Sequence, residues 1–374
     1  MRKISFASGP FYFGCSLGSK RQIKLGVLYS RSGDYAMLSN ASRAGVVSAI
    51  AAVNADPSLD LRFDPIERDP KGNIDAYGPM CHDLLISGAR HVVGCVTSWS
   101  RKEVIPVLER QGGTLWYPLP YEGFEASDHV VYTHACPNQH LLPLMDWVLP
   151  AHGGKAFLTG SNYIWGWEMN RLARECIHAA RGEVLGERYL PLGAQDVGQI
   201  MQAIQHSRPD FILNNLVGTS SYSFLRAMQE LAQQDRAFAP ERCPILSCNL
   251  TEAELPALGS AAEGLVSAGP YFRPAAGGEF ASSIEAAAYT AVHELARLLH
   301  GRPEAETATL TTLLAGDAAQ GMIDPRTHHS ALPVQIAQVR NGVFCALRSL
   351  PIVAGDPYLT QARPVAPPRL RVVS

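Results

Sequence analysis

The sequence predicts an α/β protein built from two doubly wound parallel-sheet lobes. Its 374 residues exceed the roughly 250 to 300 residues at which a single hydrophobic core stops growing. Apolar residues make up 47% of the chain and charged residues 18%, an ordinary globular composition with enough apolar material for two cores. Short β-branched segments alternate with longer amphipathic segments in two successive series, which is typical of parallel sheets covered by helices.

The first series lies between residues 23 and 118. Strands are expected at 23–29, 60–67, 91–96 and 114–118, and helices at 39–54, 74–87 and 99–111. Ser39 is expected to cap the first helix, because a hydroxyl at the N-cap accepts a hydrogen bond from a first-turn amide.

The second series begins after residue 140. Helices are expected near 140–149, 165–181, 196–206 and 220–234, and strands at 155–160, 183–190, 210–216 and 244–249. A strand at 265–272 then precedes an Ala-rich helix at 279–300. The segments MID and PVQIAQV alternate as strands, and Asn341-Gly342 predicts a hairpin turn. Residues after 356 are expected to be extended.

Charge argues against direct nucleic-acid binding, because the formal net charge is −2 and a phosphate backbone requires a basic surplus. Basic residues such as Arg101 and Lys102 are dispersed, and we interpret them as solvated surface. No apolar stretch after the N-terminus approaches the roughly 18 residues of a membrane span.

Eight cysteines occur without the short paired spacing of zinc or redox motifs, at positions 15, 81, 95, 136, 176, 243, 248 and 345. Scattered thiols favour a reducing compartment, because an oxidising one would invite mispairing. Residues 1–21 nevertheless outline a leader, in which two basic residues precede a short apolar stretch ending at Cys15. Ser and Pro interrupt that stretch. We therefore expect a cytoplasmic protein; a periplasmic or lipid-anchored one is the alternative.

Several motifs resemble one branch of the periplasmic-binding-protein-like folds, which holds the AmiC-like amide-binding regulators and the urea or amide substrate-binding proteins of ABC transporters. In chain order they are RDPKGNIDAYGPMCHDLL, VVGCVTSWSRKEVIPVLER, LWYPLPYEGFE, ACPNQH, LTGSNYIWGWEMNR, RPDFILNNLVGT, AGPYF and HHSALPVQIAQV. The likeness covers residues 22 to about 350. The segments YPLPYEGFE and GSNYI are the most specific to this branch.

The resemblance implies the type I periplasmic-binding-protein architecture, in which three hinge crossings join the two lobes. One lobe would comprise 22–134 plus 268–331 and the other 135–267 plus 332–360, with 1–21 as leader and 361–374 as tail. Hinges are expected near 134–137, 266–270 and 330–333. Between residues 272 and 284 this chain is shorter than its relatives by about one helix, so it departs from the pattern at the outer edge of the first lobe.

Ligands of open α/β sheets bind at the carboxyl ends of the strands. The resemblance places Ser98, Tyr117 and Tyr163 at positions that contact an amide: Ser98 at its polar end, Tyr117 by hydrogen bonding or stacking, and Tyr163 from the opposing lobe. From the residues alone, Ser98 is first a candidate helix cap, and the two tyrosines could equally be packing aromatics. Further wall positions are Val96, Thr97, Leu119, Trp165, Leu216 and Val217, with Asn215 beside them.

A closed cleft must pair each polar group of an amide, because an unpaired buried polar group costs about 1 to 3 kcal/mol. Hydroxyls and backbone groups suit a neutral amide or urea-like ligand, whereas carboxylates and guanidinia would select a charged one. AmiC-like relatives carry Tyr, Thr and Tyr in place of Val96, Leu119 and Trp165. The less polar pocket therefore predicts a bulkier or more apolar amide, or another neutral solute.

Enzymatic readings find no support in the sequence, which lacks a nucleophile elbow, a phosphate-binding loop and a zinc-protease motif. We expect no cofactor and no metal. His328 and His329 are adjacent on a predicted strand and so point to opposite faces. Tyr121, Glu122 and Phe124 are expected to shape the loop below the cleft.

The leading hypothesis is a cytoplasmic amide sensor that regulates an amidase or nitrile-degradation operon through a partner. The resemblance implies that this partner is an RNA-binding antitermination regulator, released when ligand shifts the lobe angle. The alternative is the substrate-binding component of a urea or short-chain amide ABC transporter. The resemblance also leaves room for a homo-oligomer.

Overall fold

The computed structural model describes residues 20–125, 127–315 and 321–360. Of the predicted leader, residues 1–19 lie outside this range, and so does the predicted tail 361–374. The described strands are β1 Arg21–Leu28, β2 Leu61–Arg68, β3 His91–Gly94, β4 Thr114–Tyr117, β5 Val130–Tyr132, β6 Lys155–Ser161, β7 Glu183–Leu190, β8 Phe211–Asn215, β9 Ile245–Ser247, β10 Val266–Gly269, β11 Leu332–Arg340 and β12 Val343–Val353.

The α-helices follow the expected alternation. They are α1 Ala36–Ala55, α2 Tyr77–Ile86, α3 Ser98–Gln111, α4 Leu141–His152, α5 Ile164–Ala179, α6 Gly198–Ser207, α7 Thr219–Gln234, α8 Leu255–Leu258, α9 Ser283–Leu299 and α10 Leu310–Ala315.

The strands form two sheets, and we call each sheet with its covering helices a lobe. The first lobe has the parallel order β2-β1-β3-β4-β5. The second has the order β12-β11-β10-β9-β8-β6-β7, in which β11 and β12 are antiparallel to their neighbours and the rest are parallel. The predicted α/β fold class with two doubly wound lobes is confirmed.

Three crossings join the lobes, after β5, after β10 and before β11. They are tied to one another. The Nε2 of His134 lies 3.2 Å from the Ser283 hydroxyl, which links the first crossing to the second. The Gln139 amide donates to Ser330 O at 2.9 Å, which links the first to the third. The exact lobe boundaries given above stay predictions.

Helix α1 packs between the first sheet and α9. A Cβ at Gly45 would lie 2.2 Å from Glu285 O, so only glycine permits this close approach of the two helices. Contrary to expectation, α1 is long and apolar enough by composition to span a membrane, the one such helix among the described residues. Its buried face, which includes Val46, Ala49 and Val53, contributes to the core of the first lobe.

The prediction that Ser39 caps the first helix is wrong. The helix begins three residues earlier at Ala36, with Tyr35 at the N-cap. Ser39 is therefore buried inside the helix, and its Oγ has no hydrogen-bond partner among the described residues. The loop SRSGDYA allows the earlier start because its glycine, Gly33, takes a positive φ of 90° and turns the chain into the helix.

Candidate functional site

A small cavity of about 30 Å³ lies between the lobes at the carboxyl ends of the parallel strands. It is lined from the first lobe and the α9 crossing by Tyr35, Leu38, Val96, Thr97, Ser98, Tyr117, Leu119, Pro120 and Ile284, and from the second lobe by Tyr163, Trp165, Val217 and Asn249. None of these described side chains is charged.

Most sequence-predicted site residues meet in this cavity. They are Val96, Thr97, Ser98, Tyr117, Leu119, Tyr163, Trp165 and Val217. Leu216 does not line it: this side chain is fully buried in the second lobe's core with Phe224 and Leu225 of α7. Its neighbour Asn215 is also buried and donates to Asn170 Oδ1 at 2.8 Å. At these two positions the predicted wall contact is corrected, because the Leu216 side chain packs in the core of the second lobe and the Asn215 side chain is turned to Asn170.

Tyr35 and Asn249 also line the cavity, although the sequence reasoning did not name them. Tyr35 follows the loop after β1, and Asn249 follows β9. Each therefore comes from a strand end that faces the cleft. Applying that rule to every strand, instead of only those carrying familiar motifs, would have found both.

Thr97, and not Ser98, caps helix α3. The Thr97 hydroxyl accepts from the Ser100 N–H at 3.1 Å, and the Ser100 hydroxyl accepts from the Thr97 N–H at 3.1 Å, which forms a reciprocal capping box. Ser98 is left to make a different contact. Its hydroxyl donates to Glu122 Oε2 at 2.6 Å.

Arg101 is the main correction to the sequence interpretation. It is fully buried, not surface: its guanidinium contacts Glu122 Oε1 at 2.6 Å and Glu125 Oε1 at 2.7 Å. The rings of Tyr117 and Tyr121 lie 4.8 and 4.7 Å from its central carbon. We call Arg101, Glu122 and Glu125 the buried charge cluster. Lys102 is half-exposed, as expected, and also pairs with Glu125.

The buried charge cluster has no surplus positive charge, because its two carboxylates share one guanidinium. Burial raises the pKa of Glu125, but the nearby Arg101 charge and hydrogen bonds from Arg101, Lys102 and Tyr132 outweigh burial and lower that pKa to about 2. The Arg101 guanidinium is thus paired with both carboxylates, and only its Nη1 has no hydrogen-bond partner among the described residues.

The Tyr117 hydroxyl, like the Ser98 hydroxyl, donates its hydrogen bond to an acceptor within the protein. The Tyr117 hydroxyl donates to Val96 O at 3.3 Å, and burial raises its pKa, so the hydroxyl stays protonated. Because both hydroxyl protons are used inside the protein, Ser98 Oγ and Tyr117 Oη could take part in a further hydrogen bond only as acceptors.

The second lobe supplies hydrogen-bond donors, whereas Ser98 and Tyr117 of the first lobe supply acceptors. Trp165 Nε1 and Asn249 Nδ2 are buried and have no hydrogen-bond partner among the residues described, and the same holds for Tyr35 Oη. An indole N–H and an amide NH₂ only donate. Buried donors are nearly always satisfied in folded proteins, and Trp165 and Asn249 both line the cavity.

Contacts across the cleft show that the lobes are closed on each other. Arg171 of α5 lies 4.9 Å from the ring of Phe124 in the first lobe. Asp34 Oδ1 lies 3.5 Å from the Thr219 hydroxyl at the start of α7. At Gly218, which precedes Thr219, a Cβ would lie 2.8 Å from Asp34 O, so the closed arrangement needs glycine there.

The histidines near the crossings make structural contacts. His329 stacks on Tyr132 with ring centroids 4.2 Å apart, and burial lowers the pKa of His329 to about 4. His328 Nδ1 lies 3.2 Å from Ser127 O. No group of three His, Cys, Asp or Glu side chains suited to a metal ion occurs in the described ranges.

Solved structures share this architecture. A solute-binding protein of an ABC transporter from Rhodopseudomonas palustris HaA2, in complex with p-hydroxybenzoic acid, is 20% identical with a TM-score of 0.77, covering 91% of this chain and 100% of that one. The isoleucine complex of the branched-chain amino acid transporter substrate-binding protein LivJ from Streptococcus pneumoniae is 16% identical with a TM-score of 0.71, covering 89% and 99%. These likenesses show a common fold.

A family model described as the periplasmic binding protein domain matches residues 23–364. The match takes in both sheets, the three crossings and every residue that lines the cavity. The chain belongs to the periplasmic binding protein domain family.

Proposed function

We propose that this protein is a non-enzymatic receptor that closes on a small neutral amide-type solute, and that it serves as the substrate-binding component of an ABC transporter. One observation carries the ligand assignment. The cavity pairs acceptor oxygens of Ser98 and Tyr117 with unpartnered donors of Trp165 and Asn249, and has no charged lining residue.

A primary amide matches this arrangement group by group. Its NH₂ donates twice, and its carbonyl oxygen accepts twice. We orient the NH₂ towards Ser98 and Tyr117 in the first lobe and the carbonyl oxygen towards Trp165 and Asn249 in the second. The ligand then satisfies donors that would otherwise stay buried and unpaired, so its binding favours the closed state.

The size of the cavity favours a ligand of few heavy atoms. A cavity of about 150 Å³ admits benzene, whereas this one measures about 30 Å³. Urea and acetamide are the smallest solutes of this class and suit such a cavity best. This volume does not favour the bulkier amide expected from the sequence, because Leu119 and Trp165 form part of the cavity wall. A carboxylate such as the hydroxybenzoate or isoleucine of the similar structures would lack a charged partner.

Two roles use the same cleft. The transport role, with a periplasmic location, draws support from similar structures described as solute-binding proteins of ABC transporters. The cytoplasmic amide sensor with an antitermination partner, the leading hypothesis from sequence, draws no support from these comparisons. One observation favours it as the second candidate: all seven described cysteines are free, and six of them are buried.

Thermal-shift measurements with matched ligand pairs test the ligand assignment. Acetamide, propionamide and urea should raise the melting temperature, because ligand that binds only the folded state stabilises it by RT ln(1 + [L]/Kd). Acetate, propionate, benzoate and isoleucine should leave the melting temperature unchanged. Stabilisation by the acids alone would refute the assignment, and hydrolysis of an amide detected by mass spectrometry would refute the non-enzymatic role.

The role is tested separately on native protein from cell fractions. A cleaved leader or a lipid on Cys15 supports transport. An intact N-terminus with reduced thiols in the cytoplasm supports the sensor.

A further inference from the structure

We infer that Glu122 is a specificity-determining residue, because it holds the proton of Ser98 and so restricts Ser98 to accepting hydrogen bonds from the ligand. Glu122 itself does not line the cavity. The inference deepens the proposed function and rests on it: it explains how a serine, which can normally donate or accept, selects ligands that carry an N–H.

The geometry of the Ser98–Glu122 hydrogen bond fits this role. Ser98 Oγ donates to Glu122 Oε2 at 2.6 Å, and the other oxygen of Glu122 accepts from Arg101 at 2.6 Å. Ser98, Glu122 and Arg101 are each at most 2% exposed. Glu122 forms an ion pair with the Arg101 guanidinium, and a carboxylate can only accept hydrogen bonds. The Ser98 hydroxyl therefore donates its hydrogen bond to Glu122 and not to a group in the cavity.

The consequence for a ligand follows from counting donors and acceptors. With its proton given to Glu122, Ser98 Oγ offers only lone pairs to the cavity. A ligand N–H completes a chain from the ligand through Ser98 to Glu122, in which each hydrogen bond polarises the next. A ligand methyl group at the same place would leave the acceptor Ser98 Oγ unpaired. A ketone or carboxylate oxygen there would place a second acceptor against Ser98 Oγ.

Glu125 provides a matched control. It binds the same guanidinium, with Oε1 at 2.7 Å from Arg101 Nε, but its hydrogen bonds in the described structure go to residues other than Ser98. Glu125→Gln perturbs the buried charge cluster much as Glu122→Gln does. Only Glu122→Gln also changes the hydrogen-bond polarity of Ser98, because the Gln amide can donate to Ser98 Oγ and release the Ser98 proton towards the cavity.

The experiment compares acetamide with acetone, which has the same number of heavy atoms but a methyl in place of NH₂. Affinities are measured by tryptophan fluorescence titration of wild type, Glu122→Gln, Glu125→Gln, Ser98→Ala and Ser98→Ala/Glu122→Gln. In wild type, acetamide should bind at least about tenfold more tightly than acetone. In Glu122→Gln this ratio should fall about tenfold. Glu125→Gln should keep the wild-type ratio, and Glu122→Gln should not change the ratio further once Ser98 is Ala.

An unchanged ratio in folded Glu122→Gln, or an equal fall in Glu125→Gln, overturns the inference. If Glu122→Gln does not fold, Arg101→Met/Glu122→Gln/Glu125→Gln gives the same test, because it removes all three charges of the buried charge cluster together. Wild-type protein that binds neither acetamide nor another primary amide contradicts the proposed function instead. Amide binding with an unaltered ratio in the Glu122 variant contradicts only the role of Glu122.

Discussion

Trp99 at the start of α3 stacks on Tyr163 at the N-cap of α5, with ring centroids 6.4 Å apart and planes inclined by 22°. The pair joins the lobes beside the cavity, because Trp99 belongs to the first lobe and Tyr163 to the second. Trp99 keeps 46% of its surface exposed even in this closed arrangement. Its contact with Tyr163 is therefore made at the cleft and contributes little to the core of either lobe.

Trp99→Ala should weaken acetamide binding by about two- to tenfold, because a stacked aromatic pair contributes about 0.5 to 1.5 kcal/mol beyond area burial and this pair stabilises the closed state. The melting temperature without ligand should change little. Calorimetric titration and thermal melts measure the two quantities. Trp167→Ala is the control, since Trp167 is similarly exposed but donates to Asn162 within its own lobe. Equal affinities for wild type and Trp99→Ala would contradict this role.

Trp165→Phe should lower amide affinity about tenfold, because it removes a donor that we assign to the ligand carbonyl. Stability without ligand should fall by less than affinity does, since the indole N–H has no partner in the described structure to lose. Titration calorimetry and chemical denaturation supply the comparison. Trp147→Phe, on α4 away from the cavity, should bind as wild type does. Full affinity in Trp165→Phe would remove Trp165 from the ligand contacts.

Arg101→Met should destabilise the protein by about 3 to 5 kcal/mol, because it leaves the carboxylates of Glu122 and Glu125 buried without their shared partner. Lys102→Met should cost at most about 1 kcal/mol, because Lys102 is 45% exposed in its pair with Glu125. Guanidinium chloride denaturation of both variants measures the difference. Similar losses for the two would mean that Arg101 is solvated, as the sequence alone indicated.

Glu254 should make stability depend on pH. It is fully buried, and burial raises its pKa to about 7 even though Tyr222 and the Thr251 amide donate to it. In the unfolded chain a glutamate loses its proton near pH 4.5, so the folded state binds the extra proton between those values. The stability that this proton provides is complete below pH 4.5 and is lost as the pH rises through 7.

Glu254→Gln should therefore match wild type near pH 4.5 and become progressively more stable than wild type as the pH approaches 7, with a constant difference above that. Thermal melts of both proteins across this range test the sign. Glu304→Gln, at a mostly exposed carboxylate, is the control and should follow wild type. If the stability of Glu254→Gln relative to wild type decreased with rising pH, Glu254 would be ionised in the folded protein.

The order of elements was predictable because it depends on local periodicity. Strands such as Glu183–Leu190 and helices such as Thr219–Gln234 match their predicted ranges to within one residue. Short elements were missed: β5 has three residues and α8 has four. Such segments contain little more than one period of a helix or of a strand, so tertiary contacts decide them.

The site was predictable only in part. The motif residues Ser98, Tyr117 and Tyr163 do meet in one cavity. The burial of Arg101 was not predictable, because its partners Glu122 and Glu125 lie 21 and 24 residues further along the chain. Asn249 lies in the second lobe, whereas Ser98 and Tyr117 lie in the first. Whether a side chain donates or accepts a hydrogen bond in the cavity depends on partners that are distant in sequence, so a local sequence pattern does not predict it.

A crystal structure of the protein grown with acetamide tests the central claim most directly. The ligand should lie in the cavity with its carbonyl oxygen about 3 Å from Trp165 Nε1 and Asn249 Nδ2, and its nitrogen about 3 Å from Ser98 Oγ. An empty cavity at saturating acetamide, or a carboxylate occupant held by an arginine or lysine side chain, would contradict it.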